Sequence, residues 1–283
     1  MKHRLLVLVA LVTSLSPVRA DTIDEVIADL RSGDPAKLNA RLSAPAWKAG
    51  DARIIAALWE LVIGEDRFAR IKDPSVKGFH EIDLKRLARE CLATCQGDLA
   101  GLALQHVASA DPASRREAAL LLSKLDKPVP GTVAELDRGL RSDYPAVREA
   151  SISALGKQGD EAVGPLLKHL KKVAAEPDYD EFGAVTQTLG GMGTQARKIL
   201  PDLTGYLDLE KYSAEQVAMA LSPIEVLGRA GEAPARNWDL VLPALKRLER
   251  QSKGVLHDRA KGLAAAISRV TAAEKEDTQE GRR

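Results

Sequence analysis

The feature that most constrains the fold is a short phrase, Leu-Gly-x-x-Gly, which closes one apolar helical stretch and opens the next. It occurs three times, beginning at Leu155, Leu189 and Leu227, so that successive copies start 34 and 38 residues apart. A recurrence of this length is typical of a solenoid, in which each helix pair buries its apolar face against neighbouring pairs. The sequence therefore predicts an array of stacked helix pairs, and it says much less about an activity.

The clearest unit of this repeat runs from Asp143 to Leu170. Each half carries apolar residues at helical spacing, which predicts two amphipathic helices. The predicted stripes are Val147, Ala150, Ala154 and Leu155 in the first helix, and Val163, Leu167 and Leu170 in the second.

The residues between the two stripes predict the turn. Gly156 and Gly159 suit a left-handed helix end and a tight turn, because glycine has no Cβ to clash at positive φ. Asp160 is placed to cap the second helix, and Pro165 follows near the start of that helix, where a proline costs least.

Both halves of the unit recur elsewhere in the chain. Arg116-Glu117-Ala118 repeats the first-helix signature 32 residues before Arg148. The second-helix signature, an aliphatic residue, a proline and a leucine at alternate positions, recurs at Val163–Leu167, Ile199–Leu203 and Val241–Leu245, with a weaker copy at Thr132–Leu136. Two independent signatures with one period favour a true repeat over chance.

This pattern resembles HEAT-like repeats, especially the short kind named after the phycobilisome lyases. The resemblance extends from about Asp111 to Arg250 and is loose from Asp21 to Ala110, where the phrase is absent. It implies an all-α fold, an α-solenoid of antiparallel helix pairs. It also implies that Arg116 and Arg148 tie adjacent repeats through polar contacts and are structural residues. Since one fold hosts many functions, the resemblance implies an architecture and no activity.

In HEAT-like arrays the second helices line the concave face, and this resemblance implies where a partner binds. The second helices would be Glu135–Arg141, Val163–Val173, Ile199–Leu207 and Val241–Gln251. The outward positions one and five residues after the Leu167-type position are Lys168 and Lys172, Asp137 and Arg141, Thr204 and Asp208, and Lys246 and Arg250.

Basic side chains form the majority of these outward positions. Lys168, Lys172, Lys246, Arg250 and Arg141 are therefore the candidate partner-binding residues. They favour an acidic protein segment or peptide, or an anionic envelope polymer. The alternative is that they are ordinary solvated side chains of an exposed helix face.

The first twenty residues have the form of a signal peptide. Lys2-His3-Arg4 precedes an apolar run, Leu5–Leu15, and Val18-Arg19-Ala20 supplies small residues at the two positions that a signal peptidase reads. The run is shorter than the roughly 20 residues that span a bilayer. We therefore expect residues 1–20 to be cleaved and the protein to be periplasmic or secreted. An uncleaved anchor is the alternative.

The charge balance disfavours a nucleic-acid partner. Removing residues 1–20 takes three of the 41 basic side chains and none of the 40 acidic ones, which leaves a net charge of −2. Binding to nucleic acid depends on a clustered basic surface that neutralises phosphates. We also expect no transmembrane segment once the signal is cleaved, because the chain has no second apolar run of sufficient length.

The chain organisation expected from these patterns has four parts. A signal peptide at 1–20 precedes a degenerate helical cap at 21–82, whose last part, 64–82, is irregular because it contains Gly64, Pro74 and Gly78. The repeat array follows at 83–270, beginning with a helix pair at 83–95 and 98–109, and a disordered tail at 271–283 ends the chain. We expect the folded protein to contain helices and no sheet.

The two cysteines, Cys91 and Cys95, lie four residues apart on a predicted helix. Export permits a disulfide between them, and their Cα atoms would be about 6 Å apart. Side chains at this spacing point nearly parallel, however, so a bridge would distort the helix. We therefore expect two buried free thiols more often than a disulfide.

The motifs that could indicate an enzyme are weak. HEAT-like deoxyhypusine hydroxylases hold two irons with repeated His-Glu pairs, whereas this chain has one such pair, His80-Glu81, outside the repeat register. Phycobilin lyases and HEAT-like DNA glycosylases do not fit an exported, near-neutral chain. Gly190–Gly193 lies in a repeat turn, where glycine already has a backbone role. We therefore expect no catalytic residue, metal or cofactor.

Together these observations favour a non-enzymatic, exported helical-repeat scaffold that binds a protein or peptide. The alternative is an accessory subunit or a divergent enzyme whose site lies in the 64–82 segment.

Overall fold

The computed structural model describes residues 23–43, 51–66, 68–72, 79–176, 178–192, 196–229 and 235–280. The chain divides into two compact units, Met1–Leu99 and Ala100–Arg283. The predicted signal peptide, residues 1–20, lies outside the described residues.

Among its described residues, the N-terminal unit contains four helices and one two-stranded ribbon. The helices are α1 (Ile23–Arg31), α2 (Pro35–Leu42), α3 (Ala52–Ile63) and α4 (Leu84–Ala93). Aspartates begin three of them: Asp34, Asp51 and Asp83 each accept a hydrogen bond from a backbone N–H of the first turn. Helix α4 packs against α2 and α3 within this unit. The sequence had instead predicted that it begins the repeat array as half of a regular pair.

The ribbon corrects the prediction that the protein contains no sheet. Strand β1 (Phe68–Lys72) pairs in antiparallel register with β2 (Phe79–Asp83), and Phe68 lies opposite Asp83. Strand β1 falls within the segment 64–82 that was predicted to be irregular, and β2 ends one residue beyond it. Pro74 and Gly78 lie between the strands in the sequence and favoured the prediction of a loop. Two short strand-forming runs, which contain Phe68, Ile71, Phe79 and Ile82, were therefore not recognised.

The C-terminal unit is helical throughout its described residues. Its helices are α5 (Leu99–Val107), α6 (Pro112–Lys124), α7 (Val133–Gly139), α8 (Pro145–Leu155), α9 (Asp160–Ala174), α10 (Tyr179–Gly191), α11 (Ala196–Gly205), α12 (Ala214–Arg229), α13 (Ala235–Gln251) and α14 (Val255–Glu280). The helix pairs implied by the resemblance from Asp111 to Arg250 are confirmed.

These helices form two layers. In the first-helix layer α6, α8, α10, α12 and α14 pack side by side in that order, and in the second-helix layer α7, α9, α11 and α13 do the same. The core lies between the layers and between neighbours within each layer, where Leu155, Leu166, Leu189 and Leu203 are fully buried. The α-solenoid fold predicted from the repeat is confirmed.

The predicted buried stripe of α9 is too narrow. Val163 and Leu170 are buried, but Leu167 is only half-buried and Leu166 takes the fully buried position, with Val173 extending the stripe. A second-layer helix packs against neighbours on both sides as well as against the first layer, so it buries a wider face than one amphipathic stripe.

The turn between α8 and α9 differs in detail from the prediction. Gly159 has φ 70° and occupies the position before α9, so that one turn glycine does use positive φ. Asp160 is the first residue of α9 and caps nothing; its carboxylate instead pairs with Lys198 Nζ of α11 at 2.7 Å. Pro165 is the sixth residue of the helix and lies beyond the first turn.

The first glycine of the repeat phrase has a packing role. Gly156 has ordinary helical φ, and a Cβ placed on it would lie 2.7 Å from Thr188 Cγ2 of α10. One repeat later, a Cβ on Gly190 would lie 2.5 Å from Pro223 Cβ of α12. The phrase therefore marks where neighbouring first-layer helices approach each other too closely for any side chain.

The end of the chain is more ordered than predicted. Helix α14 continues to Glu280, whereas the sequence had predicted disorder from residue 271. Thr271 is buried and bonds back to the carbonyl oxygen of Ile267, so the helix is still packed at that residue.

Candidate functional site

The candidate basic residues lie on the second-helix layer. Lys168 and Lys172 of α9 and Lys246 and Arg250 of α13 are all exposed. Arg141 is exposed too, but it follows the end of α7 and forms an ion pair with Asp137. The structure therefore leaves four of the five candidate residues available to a partner.

The equivalent positions on α11 do not point outward as predicted. Thr204 is half-buried, and Asp208 is buried because α11 already ends at Gly205. The Asp208 carboxylate accepts a hydrogen bond from the backbone N–H of Glu210 and pairs with Lys211 at 3.6 Å. A spacing rule that assumes a continuous helix fails beyond the helix end.

The four available cations are not neutralised by their surroundings. Among the described residues, none of Lys168, Lys172, Lys246 and Arg250 forms an ion pair. Acids do lie nearby on α13: Glu249, which is half-buried, follows Lys246 by three residues, and Glu210 accepts a hydrogen bond from Gln251 beside Arg250. The exposed charged side chains in the C-terminal halves of the two helices are nevertheless all cations, which also stabilise the helix ends.

Two ion pairs between α9 and α11 show that these helices run in the same direction. Asp160 near the start of α9 pairs with Lys198 near the start of α11, and Lys171 late in α9 pairs with Asp202 at 3.0 Å. The two helices therefore run in the same direction. Their C-terminal ends lie at the same edge of the second-helix layer.

A groove of about 530 Å³ lies between α11 and α13 on this layer. Its apolar lining includes Leu240, which is a large aliphatic side chain with 58% of its surface exposed. Two cations, Arg247 and Arg250, stand at its other end. The lining residues are Pro201, Thr204, Gly205, Leu240, Pro243, Ala244, Arg247 and Arg250.

Of these residues, only Arg250 and Thr204 were predicted from the sequence to lie at the surface. Leu240 and Arg247 were missed, although a signal was present. Leu240 stands between Trp238 and Val241 but off the buried stripe that continues through Leu245 and Leu248. A single exposed leucine is common on protein surfaces, but this one lies in a groove whose other end carries two arginines.

Arg148 performs the tying role that the resemblance implies. Its guanidinium, on α8, donates to both carboxylate oxygens of Glu181 on α10, with Nε at 2.9 Å from each, and also to the carbonyl oxygen of Ser142. Arg259 of α14 binds Glu225 of α12 in a similar way, at 2.9 and 3.1 Å. Arg116, by contrast, pairs with Glu117 of its own helix.

His169 of α9 completes the cluster around Glu181. Its Nε2 lies 2.7 Å from Glu181 Oε1, and both side chains are buried. Burial alone would raise the pKa of Glu181, but the hydrogen bonds from Arg148 and His169 outweigh it, and the net pKa is lowered. The cluster connects three helices through one ionised carboxylate, which fits a structural role.

Cys91 and Cys95 are both buried and unbridged. Helix α4 ends at Ala93, so Cys95 lies just beyond the helix that was predicted to carry both. The Cys91 thiol donates to the carbonyl oxygen of Leu42 at 3.2 Å. Burial raises the pKa of Cys91 to about 12, which leaves it almost entirely as the thiol at neutral pH.

The other candidate sites are weaker. The side chains of His80 and Glu81 lie outside the described ones, and their backbones pair with Ile71 and Arg70 in the ribbon. Among the described residues, no group of three or more His, Cys, Asp or Glu side chains could hold a metal ion.

A second cavity of about 630 Å³ is lined by Glu176, Asp178, Tyr179, Asp180 and Glu215. Within the residues that the structure describes, no helix has the length and apolar character needed to cross a membrane.

Comparison with known proteins identifies the repeat. Residues 101–189 match the family model of HEAT repeats. No curated protein sequence matches the chain. The lyase-type subdivision of the repeat stays a prediction.

Solved structures agree with this fold at low sequence identity. Kap121p bound to Nup53p is 12% identical with a TM-score of 0.58, and the match covers 87% of this chain and 29% of Kap121p. Kap121p bound to the extreme C-terminus of the protein phosphatase Cdc14p is 12% identical with a TM-score of 0.56, over 86% and 29%. Importin beta is 13% identical with a TM-score of 0.52, over 87% and 34%. This chain spans about a third of the length of these structures, and the likeness shows the α-solenoid fold alone.

Proposed function

Because residues 101–189 are HEAT repeats within a helical solenoid, we propose that this protein is a non-enzymatic, exported scaffold that binds an acidic protein or peptide segment. The binding surface is the outer face of the second-helix layer. The observation that carries the proposal is the set of four exposed cations on that face, Lys168, Lys172, Lys246 and Arg250, which have no ion-pair partner among the described residues.

The charge distribution supports an anionic partner. The chain without residues 1–20 carries a net charge of −2, yet all the exposed charged side chains in the C-terminal halves of α9 and α13 are cations, with Glu249 half-buried beside them. Exposed charges that are left unpaired attract a complementary surface and accelerate its association. A partner held by such contacts binds less tightly as salt is raised.

The fold comparison supports a protein or peptide as the partner class. Kap121p, similar in fold, has been solved bound to Nup53p and to the extreme C-terminus of Cdc14p. From these complexes we take one point for this chain, that a helical-repeat array offers a long surface on which a segment of another protein can bind. The acidic character proposed for the partner rests on the exposed cations of this chain and not on those complexes.

Export is part of the proposal and rests on the sequence of residues 1–20. A basic head, an eleven-residue apolar run and small residues before Asp21 favour cleavage after Ala20. Mass spectrometry of the purified envelope protein should find Asp21 at its N-terminus. Recovery of the intact leader on soluble cytosolic protein would contradict this part of the proposal.

The binding proposal is tested with a quadruple charge reversal, Lys168→Glu, Lys172→Glu, Lys246→Glu and Arg250→Glu. All four side chains are exposed, so the fold should persist, at a cost within about 0.5 kcal/mol for each. Tagged variant and wild-type protein are used to capture partners from the native envelope fraction. We expect the variant to lose the partner that wild type retains, and wild-type capture to weaken with added salt.

A matched control carries the same charge change on the first-helix layer and its turns. Lys124, Lys127, Lys157 and Lys261 are exposed there, and all four are changed to glutamate. Capture by this control should equal that of wild type. Equal loss in both variants would indicate a general charge effect, and equal retention in both would remove the proposed surface.

A further inference from the structure

We infer that the groove between α11 and α13 binds a short linear segment that carries one aliphatic side chain and two carboxylates. The inference rests on the proposed function, because it assigns the partner's local chemistry at one part of the same surface. Three features of the groove lead to it: an exposed leucine, a floor without side-chain bulk and two free guanidinium groups at one end.

Leu240 is the apolar anchor point. Its neighbours on α13, Val241, Ala244, Leu245 and Leu248, are all buried, whereas 58% of Leu240 is exposed. Burying an aliphatic side chain against it would remove apolar surface of both partners from water. Since Leu240 lines the groove, it can contact an aliphatic side chain of a segment that lies there.

The groove floor is shaped by residues with little or no side chain. Pro201 and Pro243 are exposed within their helices, and Ala244 lies beside them. Gly205 closes the floor on the α11 side, and a Cβ built there would meet no atom within 4 Å. A bound chain can therefore approach the helix backbones along this open groove of about 530 Å³.

Arg247 and Arg250 define the polar end. Both are exposed, and within the part of the chain that the structure describes neither forms an ion pair. Along α13 they stand about 10 Å and about 15 Å from Leu240, at 1.5 Å per residue. An extended chain advances about 3.3 Å per residue, so carboxylates three and about five residues from the aliphatic side chain would reach the two guanidinium groups.

This combination selects among anionic partners. A polymer with negative charge alone would contact Arg247 and Arg250 and leave Leu240 exposed. A basic peptide would be repelled by the same two side chains. An acidic segment with an aliphatic residue at the stated spacing uses both ends of the groove.

The probe is the labelled peptide Glu-Ser-Glu-Ser-Ser-Leu-Ser-Ser-Glu-Ser-Glu, which presents glutamates three and five residues from leucine in either chain direction. A second peptide has serine in place of the leucine. Binding of both to the full chain is followed by fluorescence polarisation, and the Leu240 methyl groups are followed by NMR. Polyglutamate serves as the purely anionic comparator.

Two variants of the groove are compared with one outside it. Leu240→Gln should weaken binding of the leucine peptide about tenfold, the loss expected for one aliphatic contact, and should leave polyglutamate binding unchanged. Gly205→Gln, which fills the floor, should weaken it similarly. Gly164→Gln on α9 is the matched control, because a Cβ at Gly164 also meets no atom within 4 Å, and it should bind as wild type does.

The inference predicts that the leucine peptide binds about tenfold more tightly than the serine peptide and shifts the Leu240 methyl signals. Equal affinity for the two peptides, unshifted Leu240 signals or no binding at millimolar peptide would overturn it. The proposed function fails separately: if the quadruple reversal abolishes partner capture while Leu240→Gln keeps it, the surface stands and the groove does not. If capture survives the quadruple reversal, the surface itself is wrong.

Discussion

The two layers of the C-terminal unit use the same repeat in different ways. In the first-helix layer, glycines and a buried ion pair hold successive helices together: Gly156 lies against Thr188, Gly190 against Pro223, and Arg148 binds Glu181. In the second-helix layer, the outer face carries exposed prolines, an exposed leucine and unpaired cations. The difference teaches that the conspicuous repeat signature serves stacking, and that the less regular positions of the other layer are available for binding.

The largest expected difference in stability between the two layers is at two leucines, one in each layer. Leu155→Asp places a carboxylate in a fully buried contact of the first layer and should destabilise the unit by about 4 kcal/mol or more. Leu240→Asp, on the exposed second-layer face, should change the free energy of unfolding by no more than about 0.5 kcal/mol. Urea unfolding followed by circular dichroism measures both. Similar losses in the two variants would contradict the division of roles between the layers.

The buried cluster gives the next largest effect and a pH dependence. Glu181→Gln removes the main charge that compensates Arg148, while Asp178 stays 3.9 Å away; because the pair is only partly buried, the loss at neutral pH should be about 1–3 kcal/mol, between that of a surface pair and a fully buried one. Because the folded-state pKa of Glu181 is depressed, its contribution is present above the ordinary value of 4.5 and is lost as pH falls through the lower folded value.

The difference in unfolding free energy between wild type and Glu181→Gln should therefore shrink as pH falls below 4.5, provided both remain folded. The measurement is chemical unfolding at a series of pH values from neutral to acid. A difference that stays constant across this range would mean that the carboxylate is not ionised in the folded protein.

The glycines of the two layers should respond in opposite directions. Gly190→Ala forces a Cβ to within 2.5 Å of Pro223 and should cost about 1–3 kcal/mol. Gly164→Ala, in the exposed part of α9, meets no atom within 4 Å and should stabilise the protein by up to about 1 kcal/mol. Melting temperatures of the two variants give the sign directly, and a stabilising Gly190→Ala would remove the close-packing explanation of the repeat phrase.

The repeat period made the array predictable from the sequence. A single helix pair cannot bury its own apolar face, so it is stable only when similar pairs stack against it. The role of Arg148 was implied by the resemblance to HEAT-like repeats, which was right for Arg148 and wrong for Arg116, whose guanidinium pairs with Glu117 of its own helix. The ribbon at β1 and β2 was not, because two five-residue runs around a proline and a glycine carry too little pattern to separate from a loop.

The candidate surface was predictable only in part. Helical spacing found Lys168, Lys172, Lys246 and Arg250, which depend on local geometry within α9 and α13. It failed at Asp208, where a helix end intervenes, and at Arg141, where an ion pair neutralises the charge. Helical spacing could not predict the groove, because Gly205 and Leu240 come together only when α11 and α13 pack side by side.

The central claim is that partners bind the second-helix layer, and site-specific photo-crosslinking tests it most directly. A photoreactive amino acid replaces Lys246 on the second layer or Lys261 on the first, both exposed, and irradiation is carried out in cells that produce the protein. The account predicts a discrete crosslinked partner from position 246 and none from position 261. A partner captured from position 261 alone would contradict it.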